Sequence, residues 1–542
     1  MLRSHASICA LDTSSHAIAS SIYGPLFQHN GRQASLYTPH QLKVLDLQFT
    51  RTPPRRNGFH AVCFKDEVIS YNSDTSSVND DSSLVAPSES SISCTTFNIL
   101  APIYKRVNGE GCRESEIRDS WLARNQKIID LLLLSNSSII CLQEFWLGNE
   151  ELTQLYDDNL SQADYLTYKL ARTNGRGDGL VTAIRGNKLM VLDYKELLFN
   201  DCGDRVAQFF RLCTKFSGSR RSHGVGMEFL LVNTHLLFPH DFNYCLVRLR
   251  QVYKILKFIE QYRREHCLTT VPVILCGDWN GSKRGRVYKF LRSQGYLSSY
   301  DTAHDYTDAD SQRWISHKNH RGNICEVDFI WLLNPDTHQK SLLASWNEAV
   351  LGTIKAKLHQ IGLKGKHAFC FFQCEGNSNI VTLKEFQQGL QKLGLTETWS
   401  DACSEGLTRK EIDQVMQVID INGNGVIDYN EFEALLAEEE VSLIPSRESI
   451  SSLFCNASIG TMRELMLRLQ SEKFLEGSDA SLQDRCRKLS RSQSFTIKDA
   501  FLFPQAVEAG VWPDEYSLSD HAALTATFTL PGDANAKHMS SS

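Results

Sequence analysis

Oxygen- and nitrogen-bearing side chains recur at the ends of short apolar runs along this 542-residue chain. The runs are FNIL with Asn98, LQEF with Glu144, NTHL with Asn233 and His235, GDWN with Asp278 and Asn280, VDFIW with Asp328, and SDH with Asp520 and His521. Any one of these residues is more often a turn residue or a helix cap. Together they provide what hydrolysis of a phosphate ester needs: oxygen ligands for a hard cation, a base for water, and groups that stabilise negative charge.

The carboxylates and amides of this set suggest separate roles. Glu144 with Asn98 nearby fits a site for Mg²⁺ or Mn²⁺, because Mg²⁺ is usually held by one or two carboxylates and by water. Side chains two residues apart in a strand share a face, so Asp278 and Asn280 are predicted to enter one site. There Asp278 is expected to take the water proton or orient the nucleophile, and Asn280 to hold a phosphate oxygen.

The two histidines complete the set. His521 is useful as a cation if a carboxylate keeps it protonated and oriented, so Asp328 or Asp520 is expected beside it. Lys283 and Arg284, which precede a predicted helix, are candidate phosphate contacts together with Asn233. The alternative is that these two basic residues lie at the start of the helix and face solvent without contacting phosphate.

To form one site, these residues must lie on strands and helices that bring distant motifs to the same edge of a sheet. Apolar runs of strand length alternate with segments of helical periodicity, which predicts an α/β layered domain. Strands are predicted at residues 93–100, 139–143, 180–184, 229–234, 271–276, 326–332 and 516–530, and helices at 120–134, 246–265 and 285–294.

In this order, the motifs resemble the endonuclease/exonuclease/phosphatase superfamily over about residues 92–340 and 511–531. FNILAPIY, NTHLLFP and GDWN are most similar to its deadenylase, Angel and nocturnin branches. The resemblance implies a four-layered α/β sandwich like that of pancreatic deoxyribonuclease, with Mg²⁺ at Glu144 and Asn98. It also implies that Asp328 pairs with His521, that Asp520 lies at the metal or water, and that His235 lies at the scissile phosphate.

Two segments depart from the pattern of these branches. The loop after GDWN, residues 281–286, is more basic than their usual small polar turn, and RGDGL at 176–180 replaces an SDGCA-like segment. The chemistry is therefore better specified than the substrate.

A second motif predicts calcium binding. The segment from Asp420 to Glu431 fits the EF-hand loop D-x-[DN]-x-[DN]-G-x₅-E, and helical periodicity flanks it on both sides. Its expected ligands are Asp420, Asn422, Asn424, Val426, Asp428 and Glu431. A degenerate partner at 374–385 lacks the first Asp, so it is expected to support its neighbour rather than bind an ion. The chain also resembles plant proteins that combine this catalytic fold with an EF-hand and are described mainly as calcium-binding.

The chain therefore divides into a catalytic domain with an inserted all-α EF-hand pair. The predicted segments are 1–90, disordered or targeting; 91–343, first part of the catalytic domain; 344–445, EF-hand pair; 446–510, helical and Ser/Arg-rich linker; 511–531, last catalytic strands; and 532–542, a disordered tail. In the linker, Ser494 fits a kinase pattern with Leu489 and Arg491, so it is a candidate phosphorylation site.

Composition indicates which cellular compartments suit the chain. Sixteen cysteines without a CxxC pair favour reduced thiols in the cytoplasm or nucleus, and the Arg- and Ser-bearing N-terminus leaves a plastid or mitochondrion open. No run is apolar enough to span a bilayer.

The leading interpretation is an Mg²⁺-dependent 3′–5′ exoribonuclease that acts on poly(A)-like RNA. A phosphatase of small molecules such as NADP(H), a lipid phosphoesterase and a calcium sensor with an inactive enzyme fold remain alternatives. The oligomeric state is not specified.

Overall fold

The structure is a computed structural model. It describes residues 91–107, 111–215, 226–239, 244–311, 313–335, 337–373, 379–397, 406–436 and 494–530. All of these lie in the compact unit Val85–Ser542. Within these ranges no helix is both long and apolar enough to cross a membrane.

The first sheet contains six strands in the order β15-β16-β1-β2-β4-β3. Its strands are β1 (Ser91–Asn98), β2 (Ile139–Phe145), β3 (Tyr165–Ala171), β4 (Gly179–Arg185), β15 (Thr496–Phe503) and β16 (Ala523–Thr529). Only β1 and β2 are parallel, and every other neighbouring pair is antiparallel. The ends of β1 and β2 therefore meet at one edge of this sheet.

The second sheet also has six strands, in the order β5-β6-β7-β8-β12-β9. Its strands are β5 (Leu189–Leu198), β6 (Val206–Thr214), β7 (Glu228–His235), β8 (Val273–Asp278), β9 (Leu297–Ser298) and β12 (Asp328–Leu333). The parallel pair here is β7 and β8, in which His235 lies opposite Asp278. A hairpin, β10 (His317–Lys318) with β11 (Ile324–Cys325), precedes β12.

The two sheets pack face to face with helices outside, which is the predicted α/β sandwich. Alternate residues of β2 show the layering, because Ile139 and Cys141 face the second sheet while Ile140 and Leu142 face the outer helices. The helices are α1 (Arg118–Ser135) and α2 (Glu150–Gln162) on the first sheet, α3 (Tyr244–Glu265) and α4 (Arg286–Ser293) on the second, and the short α5 (Ser299–Ala303).

A mainly helical region lies between β12 and β15 in the chain. It contains α6 (Leu342–Gln360), α7 (Gly365–Phe372), α8 (Leu383–Lys392), α9 (Arg409–Ile419) and α10 (Tyr429–Leu436). Two short strands, β13 (Ile380–Thr382) and β14 (Val426–Asp428), pair antiparallel and join the loops that precede α8 and α10. Helix α6 packs on α3 and α4, and α9 packs on α6.

The sequence analysis missed β3, β5, β6 and β15. The last of these corrects a predicted boundary, because β15 pairs with β16 along its length and so belongs to the first sheet, not to a linker ending at residue 510. Strand β15 is an edge strand whose residues are largely exposed, and a register shift between Ile497 and Asp499 interrupts its alternation. A period of two was therefore difficult to detect. Likewise the predicted strand 516–530 begins only at Ala523.

Ser494 lies just before β15, in the segment predicted as a helical and Ser/Arg-rich linker. It is half-buried, and the next residue, Phe495, is buried with its amide bonded to Asn334 Oδ1 at 2.9 Å. Leu489 and Arg491 lie outside the described residues, as do segments 1–90 and 532–542 and, in the degenerate loop, residues 374–378. Phosphorylation of Ser494 stays a prediction.

Gly277 sets how closely β7 and β8 approach. Its φ is 142°, and a Cβ there would lie 1.9 Å from the Thr234 backbone oxygen. We expect Gly277→Ala to lower the free energy of unfolding by roughly 3 kcal/mol, because a strand backbone cannot move aside as a flexible side chain can. The midpoint of urea unfolding measures this.

Gly281→Ala is the matched control. A Cβ at Gly281 would lie 3.4 Å from Val287 Cβ, which is ordinary contact, so the loss should stay within about 0.5 kcal/mol. Equal losses for the two variants would contradict the role given to Gly277.

Candidate active site

The parallel strand pairs bring four predicted residues together. Asn98 ends β1 and Asp278 ends β8, and the packing of the sheets places Asn98 Nδ2 3.0 Å from Asp278 Oδ2. The same amide nitrogen is 3.3 Å from Glu144 Oε1. His235 Nε2 is 3.3 Å from Asp278 Oδ2 on the other side. Asn98 thus donates to two carboxylates that would otherwise repel each other.

Glu144 enters the site through an unusual backbone conformation. Gln143 already points between the sheets, where its Nε2 is 2.8 Å from Asn233 Oδ1. A regular strand would turn the next side chain away. Glu144 instead has φ of 54°, and the pairing of β2 with β4 shifts register between Leu142 and Phe145. A non-glycine residue in this region is strained, and such strain concentrates at functional sites.

Asp278 and Asn280 lie together, but a turn rather than strand alternation achieves it. Strand β8 ends at Asp278, and Asn280 has φ of 49°. The Asn280 amide donates to Asp278 Oδ1 at 2.9 Å, and Asn280 Nδ2 donates to the Leu236 carbonyl at 2.9 Å. The side chain of Asn280 is therefore fixed by the segment that follows β7.

Asp328 and His521 form the predicted pair. His521 Nδ1 is 2.9 Å from Asp328 Oδ2, and its Nε2 is 3.7 Å from Asp278 Oδ2. Burial alone would lower the pKa of His521, but the charges of Asp328 and Asp278 outweigh it and raise that pKa to about 10. His521 is therefore an imidazolium at neutral pH, as expected from the sequence.

His235 has the opposite electrostatic environment. Burial and the nearby Arg205 guanidinium lower its pKa, so this ring is neutral. Its Nε2 faces Asp278 and lies 4.0 Å from Glu144 Oε1. Asp278 is thus flanked by a charged histidine on one side and a neutral one on the other.

The charge of the cluster fits a divalent cation. Burial, followed by the charges of Asp520 and Asp178, raises the pKa of Glu144 to about 7. Asp328 Oδ1 and Asp520 Oδ1 are buried without a hydrogen-bond partner among the described residues. Oxygen ligands of this kind suit Mg²⁺ or Mn²⁺, and a cation would relieve the repulsion that raises the pKa of Glu144.

The structure adds His317, which sequence reasoning missed. Its ring stacks on His521 with centroids 4.2 Å apart, and its Nε2 is 3.7 Å from Asp520 Oδ2. An isolated bridge pairs the backbones of His317 and His521, and the Lys318 amide donates to the Asp520 carbonyl. The only sequence signal was a histidine shortly before VDFIW.

A second missed feature borders Glu144. Tyr104 donates to Asp178 Oδ1 at 2.7 Å, and Arg172 bonds both Asp178 and Asp204. Asp178 belongs to the RGDGL segment noted as a departure from the pattern. This network holds that segment against the site.

Three predicted phosphate contacts lie elsewhere. Asn233 is two residues before His235 on the same face, so it is one step deeper between the sheets, where its Nδ2 bonds Thr182 Oγ1 at 3.1 Å. Lys283 is fully buried in an ion pair with Asp301 at 2.9 Å. The exposed Arg284 bonds the Ser311 hydroxyl. For Asn233 and Lys283 burial excludes contact with substrate.

The pairing of Asp328 with His521 gives a test without an assay of activity. In Asp328→Asn, the pKa of His521 should fall by at least about 2 units, because an opposite charge accounts for 1–3 units of such a shift. At pH 9 without added divalent ions, His521 should be largely protonated in the wild-type protein and largely neutral in the variant. NMR of ¹⁵N-histidine-labelled protein measures this, with exposed Asp514→Asn as the control. An unchanged His521 titration in Asp328→Asn would refute the assignment.

The chain is similar to several known proteins. Residues 95–347 match the model of the Endonuclease/Exonuclease/phosphatase family. A protein of Arabidopsis thaliana described as an uncharacterized calcium-binding protein is 48% identical over 444 residues, which cover 81% of this chain and 85% of that protein. Protein angel of Drosophila melanogaster is 28% identical over 180 residues, 32% of this chain and 47% of that protein.

A solved structure of the human Nocturnin catalytic domain with bound sulfate is 21% identical and covers 45% of this chain and 81% of that chain, with a TM-score of 0.35. Members of the matched family are phosphoester hydrolases. The family match and the extent of the Arabidopsis similarity together show that this chain belongs to the endonuclease/exonuclease/phosphatase family.

Proposed function

We propose that this protein is an Mg²⁺-dependent phosphodiesterase that trims RNA from the 3′ end. The observation that carries the hydrolase part is the convergence of four carboxylates, Glu144, Asp278, Asp328 and Asp520, around the rings of His235, His317 and His521. Such a set can bind a cation, accept a proton from water and donate to phosphoryl oxygens.

The side chains divide the chemistry among them. A divalent cation at Glu144 would neutralise phosphoryl oxygens and lower the pKa of water. Burial raises the pKa of Asp278, which makes this carboxylate a stronger base toward water. The His521 imidazolium is placed to donate to an oxygen on which negative charge develops, and Nε2 of the neutral His235 ring faces the same carboxylate, Asp278. Asn98 donates to both Glu144 and Asp278 and so fixes the positions of these two carboxylates.

The hairpin beside the site supports a nucleic-acid substrate. Its strand β10 pairs with His521 and bonds the Asp520 carbonyl, and the tip between β10 and β11 exposes His320 and Arg321. Cationic and polar side chains next to a phosphodiester site can hold the backbone of a strand beyond the scissile bond. Of the two tryptophans next to site residues in the sequence, Trp279 is buried and bonded to the Phe329 carbonyl, whereas Trp146 is only half-buried.

The substrate assay compares poly(A) RNA with NADPH, in Mg²⁺, for the wild-type protein and Glu144→Gln. We expect the wild-type protein to shorten the RNA from its 3′ end, and the variant to lose at least about 100-fold in rate, because removal of a charged ligand at a catalytic centre costs several kcal/mol. NADPH turnover without RNA trimming would instead support a phosphatase of small molecules. No turnover of either would favour a lipid substrate or an inactive sensor.

The variant Arg321→Ala distinguishes an RNA substrate from a small-molecule substrate such as NADPH. We expect it to raise the KM for RNA about two- to fivefold, because one phosphate contact is lost. The KM for RNA should also change less with salt concentration. Turnover of NADPH should not change. The exposed Arg118, which pairs with Glu151 on the surface helices, provides a matched control as Arg118→Ala.

We propose further that the loop from Asp420 to Glu431 binds Ca²⁺. Its carboxylates already curl inward on backbone amides: Asp420 accepts from Asn424 and Gly425, and Glu431 accepts from Ile421, Asn422 and Asp428. Glu431 lies in the first turn of α10, shortly after β14, the position from which the last residue of such a loop reaches the ion. The description of the Arabidopsis relative as calcium-binding supports the same assignment.

A direct contact joins this unit to the catalytic fold. Arg250 on α3 donates through Nη2 to the Gly406 carbonyl and to Glu411 Oε2, each at 2.9 Å. Glu411 also accepts from Thr408 at the start of α9, the helix that ends at Asp420. The buried Arg250 guanidinium therefore contacts the start of the helix that leads into the calcium loop.

From Arg250 the contacts continue toward the site. The neighbouring Gln251 accepts from the Leu237 amide at 3.1 Å, and Arg248 donates to the Leu237 carbonyl at 3.2 Å. The adjacent Leu236 carbonyl is the acceptor for Asn280 Nδ2. We propose that Ca²⁺ acts on hydrolysis along this path through α3.

Arg250→Met tests the path. It should leave Ca²⁺ binding within about threefold of wild type, yet reduce the effect of Ca²⁺ on the hydrolysis rate, since typical couplings of 5- to 150-fold depend on such differential contacts. Glu431→Gln should weaken Ca²⁺ binding itself by roughly 100-fold, because it removes a charged bidentate ligand. Calorimetric Ca²⁺ titration and the RNA assay together measure both. An unchanged effect of Ca²⁺ in Arg250→Met would rule out this route.

A further inference from the structure

Arg205 makes the least expected contact near the site. Its Nη1 lies 2.8 Å from His235 Nδ1, and both side chains are buried. Arginine side chains in proteins usually pair with carboxylates or carbonyls. Here the nearby Asp204 is bonded to Arg172 and Arg176, and Asp178 to Arg172, so Arg205 is directed to an imidazole.

This contact determines where the proton of His235 lies. A guanidinium has five N–H donors, no acceptor, and is not deprotonated in proteins. His235 Nδ1 must therefore present its lone pair, and the proton of the neutral ring must lie on Nε2. That nitrogen is the one that faces Asp278 Oδ2 at 3.3 Å and Glu144 Oε1 at 4.0 Å.

The backbone explains why Arg205 reaches this position. It lies immediately before β6, and its carbonyl accepts from the Phe199 amide at 3.1 Å. Strand β6 pairs with β7 so that Ala207 lies opposite Thr234, one residue before His235. Arg205 is therefore held beyond the paired end of β6, level with the end of β7.

We propose that Arg205 is a positioning residue that holds His235 as a neutral donor with its proton on Nε2. His235 then offers one N–H to the space between Asp278 and Glu144, and it neither accepts there nor becomes a second cation beside His521. Without Arg205, either ring nitrogen could carry the proton and the ring could rotate. The consequence for hydrolysis rests on the proposed phosphodiesterase function, but the consequence for the tautomer does not.

The test uses the full-length chain and three variants. Arg205→Ala removes the donor, Arg205→Lys keeps one cationic N–H donor, and Arg176→Ala is the matched control. Arg176 is 60% exposed and bonds Asp204 rather than His235. Histidine-selective ¹⁵N NMR reports the tautomer, with His235→Gln to assign the signal, and urea unfolding shows whether each variant folds.

In the wild-type protein and in Arg176→Ala, His235 should carry its proton on Nε2 alone, whereas Arg205→Ala should show a mixture of tautomers. For RNA hydrolysis, Arg205→Ala should lose about 10- to 100-fold in kcat, as is typical when the partner of a catalytic histidine is removed. KM should change little, and Arg205→Lys or added guanidinium ion should restore most of the rate.

An unchanged tautomer in a folded Arg205→Ala protein would overturn the proposal, and so would a loss of rate that neither lysine nor guanidinium restores. If the wild-type protein hydrolyses no substrate, the proposed function fails while the tautomer measurement still decides the role of Arg205.

Discussion

The repulsion among buried carboxylates is the constraint on which the site depends. Glu144, Asp278 and Asp328 come from strand ends and Asp520 from the segment before β16, and they meet at one site where Asp278 and Asp328 are buried and Glu144 and Asp520 are partly exposed. Each must be balanced, because uncompensated charge in such a place is costly. Asn98 donates to two of them, His521 is held as an imidazolium by two, and the raised pKa of Glu144 shows that the balance is incomplete without a cation. A divalent cation bound at Glu144 would relieve this imbalance.

The fold meets this constraint with parallel strand pairs and local strain. In an antiparallel pair the carboxyl ends of the two strands lie at opposite edges, whereas the parallel pairs β1–β2 and β7–β8 bring these ends to one edge. Two residues of the site, Glu144 and Asn280, then leave regular strand conformation to turn their side chains inward. Gly277 permits the close approach of β7 and β8 that places His235 opposite Asp278. Well-paired strands on both sides hold these less favourable conformations in place.

Much of this arrangement follows from the sequence. Polar residues at the ends of apolar strands identified Asn98, Glu144, Asp278, Asp328 and His521, because strand ends are where a buried run meets a cleft. The depth of each side chain was not predictable: Asn233 and His235 share a face, but only one register step separates a core residue from a site residue. Lys283 was misread for a similar reason, since the partner that buries it, Asp301, lies 18 residues away. His317 and Arg205 come from a hairpin and a strand start without periodicity, so only the packed structure brings them to the site.

Binding of Mn²⁺ to the carboxylate cluster is the most direct test of the central claim. Electron paramagnetic resonance can count bound Mn²⁺ in protein that carries Glu431→Gln, so that the calcium loop does not contribute. We predict at least one bound ion at the cluster, its loss when Glu144→Gln is added, and competition by Mg²⁺. If the number of bound ions and their affinity stay the same after Glu144→Gln, the cluster does not hold the cation at Glu144, and the account of a metal-dependent hydrolase built on it is wrong.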